Sequence, residues 1–287
     1  MAMPDPDTLS AVQDLLQEVL TAKDRLGPNQ ACLLILVSIP PVELFESNEA
    51  GDPRLLRRIE FPRRLLRRTV EAALGQHPLP AASEELDRVR YYVSFAAGRG
   101  IPIGAFVFSK TVHSPIYRGY EDLSFGILNP LELLDSSDAD LKDMVRGWLD
   151  TGEKWLSNIP PRSVLDAALM TRMRAFFASN RRDGCLGSWA SLEALAEASV
   201  AGLDWLAPVP RVSFHLKSKE VARAMRGLLA RWSPESENAA EAWRKLRNRL
   251  IHPFGEPVEE QAIWDACREL LNASGRVLTG ILGQVVL

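Results

Sequence analysis

Ile159-Pro160-Pro161 divides this chain. Two prolines in a row close any helix that reaches them, and the character of the sequence changes across them. Upstream lie short runs rich in Val, Ile, Tyr and Phe. Downstream the strand signals stop and apolar residues recur only at helical spacing. The chain has 287 residues, more than the roughly 100–200 typical of one domain, so two domains are expected. The predicted organisation is an α+β domain over residues 1–159 followed by an all-α helical bundle over 160–287.

In the first half, Leu9, Val12, Leu15, Leu16, Val19 and Leu20 predict a helix over about 8–26. The continuous apolar run Ala31-Cys-Leu-Leu-Ile-Leu-Val-Ser38, ended by Ile39-Pro40-Pro41, predicts a buried strand. Residues 54–75 suggest a basic helix broken at Pro62. Arg88–Ala96 and Ile101–Val112, separated by Ala97-Gly98-Arg99-Gly100, suggest a hairpin. Pro102 would start its second strand at a sheet edge. Leu123–Leu128 suggests a further strand, and acidic Asp135–Asp143 leads into a helix over about 138–156.

In the second half, helices are predicted at about 162–180, 188–206, 214–232, 237–252 and 257–283, punctuated by Gly184 and Gly187, Pro208 and Pro210, Ser233-Pro234, and Pro253-Gly255-Pro257. The fourth offers Ala239, Trp243, Leu246 and Leu250 as a buried stripe. The fifth opens with Pro257, Glu259 and Glu260 and carries Ile263, Cys267, Leu270, Leu271, Val277, Leu278 and Ile281 on one face.

The composition, 46% hydrophobic and 25% charged, is that of an ordinary globular protein. The net charge of −3 is unevenly spread, with 17 Lys/Arg against 14 Asp/Glu from Pro160 onward and 17 against 23 before it. The helical half is thus the better partner for a polyanion. Cys32, Cys185 and Cys267 form no CxxC pair, and His77, His113, His215 and His252 form no HExxH pattern, so no metal site, cofactor or disulfide framework is expected. A Rossmann fingerprint, a P-loop and a GxSxG elbow are absent from the sequence. Without a basic, apolar leader or a long apolar run, the chain reads as cytoplasmic, reduced and free of the membrane.

The chemistry-bearing stretch is Arg247-Asn248-Arg249-Leu250-Ile251-His252. Asn248 and His252 stand at i and i+4 on one helix face, with Arg247 one step round. Pro253 pushes His252 out of the right-handed helical region, so the helix should stop there with its imidazole at an end. Guanidinium, amide and imidazole in one patch suit the holding and cleavage of a phosphodiester. The bland alternative is a cation set at a helix C-terminus, worth about 0.3–1 kcal/mol.

The hexapeptide resembles the motif of the HEPN superfamily, in which four to six residues separate an arginine from a histidine and a polar residue, often asparagine, follows the arginine. The resemblance covers residues 160–287 only. It implies a HEPN-like bundle acting as a metal-independent endoribonuclease that leaves 2′,3′-cyclic phosphate ends. Arg247 and Asn248 would handle the phosphate, His252 the proton, and two motifs would face each other across a C2 homodimer. Glu241, six residues before Arg247, is a possible helper. Some HEPN toxins carry a tyrosine two residues after the histidine, where this chain has Phe254. The resemblance also implies a defence or toxin setting, with the first domain as sensor or regulator. Other HEPN proteins do not cut, and the alternative is a dimeric scaffold that binds RNA, nucleotide or protein.

Two basic stretches are further candidates. Lys219, Arg223 and Arg226 share a face of the third helix of the bundle and, with Arg244, would bind RNA if that face neighbours His252. Pro53–Phe61 and Pro62–Val70 form a nine-residue near-repeat carrying Arg54, Arg57, Arg58, Arg63, Arg64, Arg67 and Arg68. These read as a solvated face pairing with the acidic excess of the same domain rather than as a phosphate track. Tyr91, Tyr92, Phe95, Phe106 and Phe108 read as core. Cys185, expected in a loop, has no activating histidine placed by the sequence.

Overall fold

The computed structural model describes residues 25–39, 41–47, 53–73, 76–110, 113–118, 135–209, 218–252 and 257–286, with helical residues 17 and 21 before them. The expected strand at Leu123–Leu128 and most of the helix at 8–26 lie outside these residues, as do His215 and Lys217. The chain forms two compact units, Met1–Leu149 and Asp150–Leu287. An α+β unit is followed by a helical one. The division falls inside a helix, upstream of the turn at Ile159-Pro160-Pro161.

The first unit is built around β1 (Gln30–Ser38), the apolar run. After β2 (Val42–Ser47) and β3 (Pro53–Ile59) come β4 (Arg63–Glu71), α1 (Leu79–Ala97), β5 (Ile103–Ser109) and β6 (His113–Arg118). The main sheet has the order β4-β1-β5-β6, antiparallel throughout. A central strand explains why β1 is apolar at nearly every position. Leu33, Ile35 and Val37 are buried on one face, and α1 packs across the sheet with Leu86, Val89 and Tyr92 buried. On the opposite face Leu36 pairs with Leu65 and Leu34 with Phe106, and Leu36, Leu65 and Phe106 stay exposed.

Three expectations are corrected here. Arg88–Ala96 is not a strand but the second half of α1. Pro80 stands in the first turn, where a missing N–H costs little. Gly98, at φ 65°, closes the helix by donating its N–H to Phe95 O. The glycine cluster is therefore a helix cap and not a hairpin turn. Nor does Pro102 mark an edge, because β5 lies between β1 and β6, and the edge strand β6 carries Pro115.

The arginine-rich segment is two strands in two different sheets. β3 pairs with β2, and β4 with β1. Acidic β2 faces basic β3, with Arg58 donating to Glu43 Oε1 at 3.2 Å. Arg57 donates to Asp138 and to Ser136 O, and Arg68 lies 3.8 Å from Glu85 of α1. Pairing across strands overrode local helix propensity. Arg57, Arg58 and Arg68 are thus partners of the domain's own carboxylates, as expected.

Helix α2 (Asp138–Asn158) ends just before the proline pair. The second unit then holds α3 (Val164–Phe176), α4 (Arg181–Val200), α5 (Ser218–Trp232), a 3-10 turn at Pro234–Ala239, α6 (Ala240–Ile251) and α7 (Glu260–Val285). Ser163 caps α3 by accepting from Asp166 N, and Asn180 caps α4 by accepting from Asp183 N at 2.8 Å. Gly184 and Gly187, expected as breakers, lie inside α4. A Cβ on Gly187 would stand 2.8 Å from Ala175 Cβ, and one on Gly184 3.0 Å from Cys267 Sγ. Their lack of a side chain lets α4 approach α3 and α7. Cys185 is accordingly helical and buried, and desolvation pushes its thiol up to about 12, with Cys267 adding to the rise. It is no loop nucleophile.

Candidate functional site

The last turn of α6 carries the motif. Ala240, Trp243 and Leu250 are its buried residues, and Leu246 and Arg247 are half-buried beside them. That stripe turns Arg247 toward α4. Its Nη2 lies 3.9 Å from Glu193 Oε2, and its Nη1 donates to Asn248 Oδ1 at 3.2 Å. Glu193 also accepts from the indole Nε1 of buried Trp189 at 3.2 Å. The guanidinium is thus held between an amide on its own helix and a carboxylate anchored on the next.

His252 is the C-cap, at φ −110° and ψ 86°, and its backbone N–H donates to Asn248 O at 3.0 Å. The helix stops where the following proline in the sequence requires, and the residue is exposed. Arg247, Asn248 and His252 therefore share one helix end.

Other expected residues lie elsewhere. Glu241 is in the first turn of α6, eleven residues before His252, or about 16 Å along the helix axis. Arg244 donates to both of its carboxylate oxygens, from Nε at 2.9 Å and Nη2 at 2.6 Å. That bidentate bond is the main cause holding Glu241 below the usual carboxylate range, and Lys245 and Lys219 act in the same direction. Lys219 of α5 is thereby grouped with Glu241 and Arg244, at the other end of α6 from His252. Lys219, Arg223 and Arg226 are exposed.

The fold adds residues that the sequence pattern does not single out. Arg182, in the first turn of α4, donates from Nη2 to Leu250 O. It supplies a charged donor to one of the carbonyls that a helix end leaves without an intrahelical partner. Arg249 donates to Pro257 O at 3.4 Å, and Arg181 stacks on Trp264 of α7 with its guanidinium carbon 3.5 Å from the ring centroid. The Asn180–Asp183 spacing signals a helix start at Arg181, but nothing local says which helix that start meets. Among the described residues no three His, Cys, Asp or Glu side chains converge as a metal-binding set, and no helix is long and apolar enough to cross a membrane.

No protein-family model, curated protein or solved structure matches this chain.

Proposed function

We propose that the helical unit is a HEPN-like, metal-independent endoribonuclease. The observation that carries the reading is the last turn of α6, where Arg247 is bonded to Asn248 and an exposed His252 stands at the C-cap. A guanidinium binds a phosphate and stabilises the charge that builds on phosphorus. The imidazole moves protons. The 2′-hydroxyl of RNA attacks the adjacent phosphorus, its proton passing to a base, while the P–O5′ bond breaks and the leaving oxygen takes up a proton. The products are a 2′,3′-cyclic phosphate and a 5′-hydroxyl. Facing motifs in a C2 homodimer supply the two proton-transfer groups, one as base and one as acid. The first unit acts as regulator or sensor in a cytoplasmic defence or toxin system.

One observation favours a second reading. Arg247 is half-buried against Glu193, which fits a structural tie between α4 and α6 in a non-catalytic scaffold that binds RNA, nucleotide or protein.

The test is cleavage of single-stranded RNA by the full chain in EDTA, with DNA as control. His252→Ala should lower the rate by roughly 10²–10⁴ and Arg247→Ala by a comparable factor, both variants keeping their helical circular dichroism. A wild-type protein that binds RNA without ever cutting it would sink the nuclease reading and leave the scaffold.

A further inference from the structure

Trp264 lies in the second turn of α7 and keeps 40% of its surface exposed. One face of the indole is taken by the Arg181 guanidinium, 3.5 Å from the ring centroid. The remaining exposure must therefore fall mainly on the opposite face and the edges. Arg181 Nη1 also lies 3.9 Å from Glu260 Oε1, one turn before Trp264, so both an ion pair and the ring orient the guanidinium.

This ring belongs to the same end of the bundle as the motif. Arg182, next to Arg181 in the chain, donates to Leu250 O, and Arg249 donates to Pro257 O at 3.4 Å. The Arg181-Arg182 pair thus links the indole to the last turn of α6, where Ile251 and His252 are exposed. Arg181, Arg182, Arg249 and His252 are exposed at this end of the bundle, with Asp183, Glu259, Glu260 and Asp265 as acidic neighbours. Cores of protein–protein interfaces are depleted of charge. Guanidinium groups beside an exposed aromatic ring are a combination that binds unpaired nucleic-acid strands, whose bases stack without regard to sequence.

We propose that Trp264, backed by Arg181, is a stacking platform for an unpaired base of an RNA strand whose phosphate is held at Arg247 and His252. The proposal rests on the ribonuclease reading of that site and adds to it a base-binding subsite. The stack anchors the strand beside the scissile phosphate without selecting a sequence.

The experiment reads binding to the otherwise wild-type full chain, using strands whose riboses carry 2′-O-methyl groups, so that no cyclic phosphate can form and His252 stays in place. The probe is an end-labelled oligouridylate followed by fluorescence anisotropy. Trp264→Ala should bind about 5- to 150-fold more weakly, the range for losing one base–aromatic stack. Trp264→Phe should recover most of the affinity. A strand of the same length with abasic riboses should bind the parent and Trp264→Ala equally, because its phosphates are intact.

Equal affinity of the parent and Trp264→Ala for oligouridylate overturns the proposal, as does an equal loss on the abasic strand or no measurable binding by the parent at low salt. Lost self-association in light scattering, with unchanged RNA affinity, assigns Trp264 to a protein contact and overturns it as well. Failure of the nuclease reading is seen separately, as RNA left uncut by the wild-type chain. If wild type leaves RNA uncut yet Trp264→Ala binds more weakly, the platform stands and the nuclease reading falls. If wild type cuts RNA and Trp264→Ala binds as the parent does, the nuclease reading stands and the platform falls.

Discussion

Arg182 and Leu250, 68 residues apart in sequence, are joined by a hydrogen bond from a guanidinium at the start of α4 to a backbone carbonyl at the end of α6. The bond matters because the turn it caps carries the candidate chemistry. A helix end leaves its last carbonyls without intrahelical donors and concentrates partial negative charge there. An arginine from a neighbouring helix answers both, and it ties the position of the His252 end to the rest of the bundle.

Replacing Arg182 by alanine should therefore fray the last turn of α6. The loss should be modest, about 0.5–1 kcal/mol in urea unfolding, because the donor sits on an exposed residue. The His252 amide, which bonds to Asn248 O, should exchange with solvent faster. Unchanged exchange at that amide would mean that the Arg182 contact does not hold the turn.

Glu193 has two partners of different kinds, and two substitutions separate them. Glu193→Gln keeps an acceptor for the Trp189 indole but removes the charge opposite Arg247. Glu193→Ala removes both and leaves a buried N–H unsatisfied, at a cost of about 1–3 kcal/mol. Chemical denaturation should therefore find the alanine variant less stable than the glutamine variant by about 1 kcal/mol or more. Equal stabilities would show that the Trp189–Glu193 bond contributes nothing.

The Glu241–Arg244 pair makes a pH prediction. Glu241 titrates below its ordinary value near 4.5 because Arg244 bonds its ionised form. A group depressed on folding stabilises above its unfolded pKa, and that contribution is lost as pH falls through the folded value. The stability difference between wild type and Glu241→Gln should thus be constant above about pH 5.5 and shrink as pH falls below about 4.5. Parallel stability curves down to pH 3 would contradict the assignment.

Gly280 of α7 makes room for the indole of Trp232, the last residue of α5. A Cβ added there would stand 1.9 Å from Trp232 Cδ1, so the indole or the helix must shift in Gly280→Ala. Overpacking of this kind costs about 1–3 kcal/mol, and the melting temperature should fall accordingly. Gly227→Ala, where an added Cβ meets no neighbour within 4 Å, is the control and should leave stability unchanged or slightly raised through helix propensity.

Features whose causes are local can be read without the fold. Ala31–Ser38 is legible because a central strand covered by neighbours needs apolar residues at almost every position. The end of α6 is legible because proline constrains the residue before it, whatever surrounds that residue. The arginine-rich strands are harder, since Arg54–Arg58 and Arg63–Arg68 have neither alternation nor a β-branched run. Their state follows from acidic β2 and apolar β1 pairing with them. In α1, Tyr91, Tyr92 and Val93 favour a strand locally, yet the segment belongs to a longer helix whose start lies upstream at Leu79.

The sequence by itself determined that an α+β unit precedes a helical one, and that Arg247, Asn248 and His252 lie within one turn of a helix end. Both follow from periodicity and backbone sterics over a few residues. Only the tertiary structure decided that Glu193 faces Arg247, that Arg182 caps the carbonyl of Leu250, and that Arg181 lies on the ring of Trp264. Those contacts join residues on three helices. Helix packing depends on which side chains interdigitate across whole faces, and no short stretch of sequence contains that information.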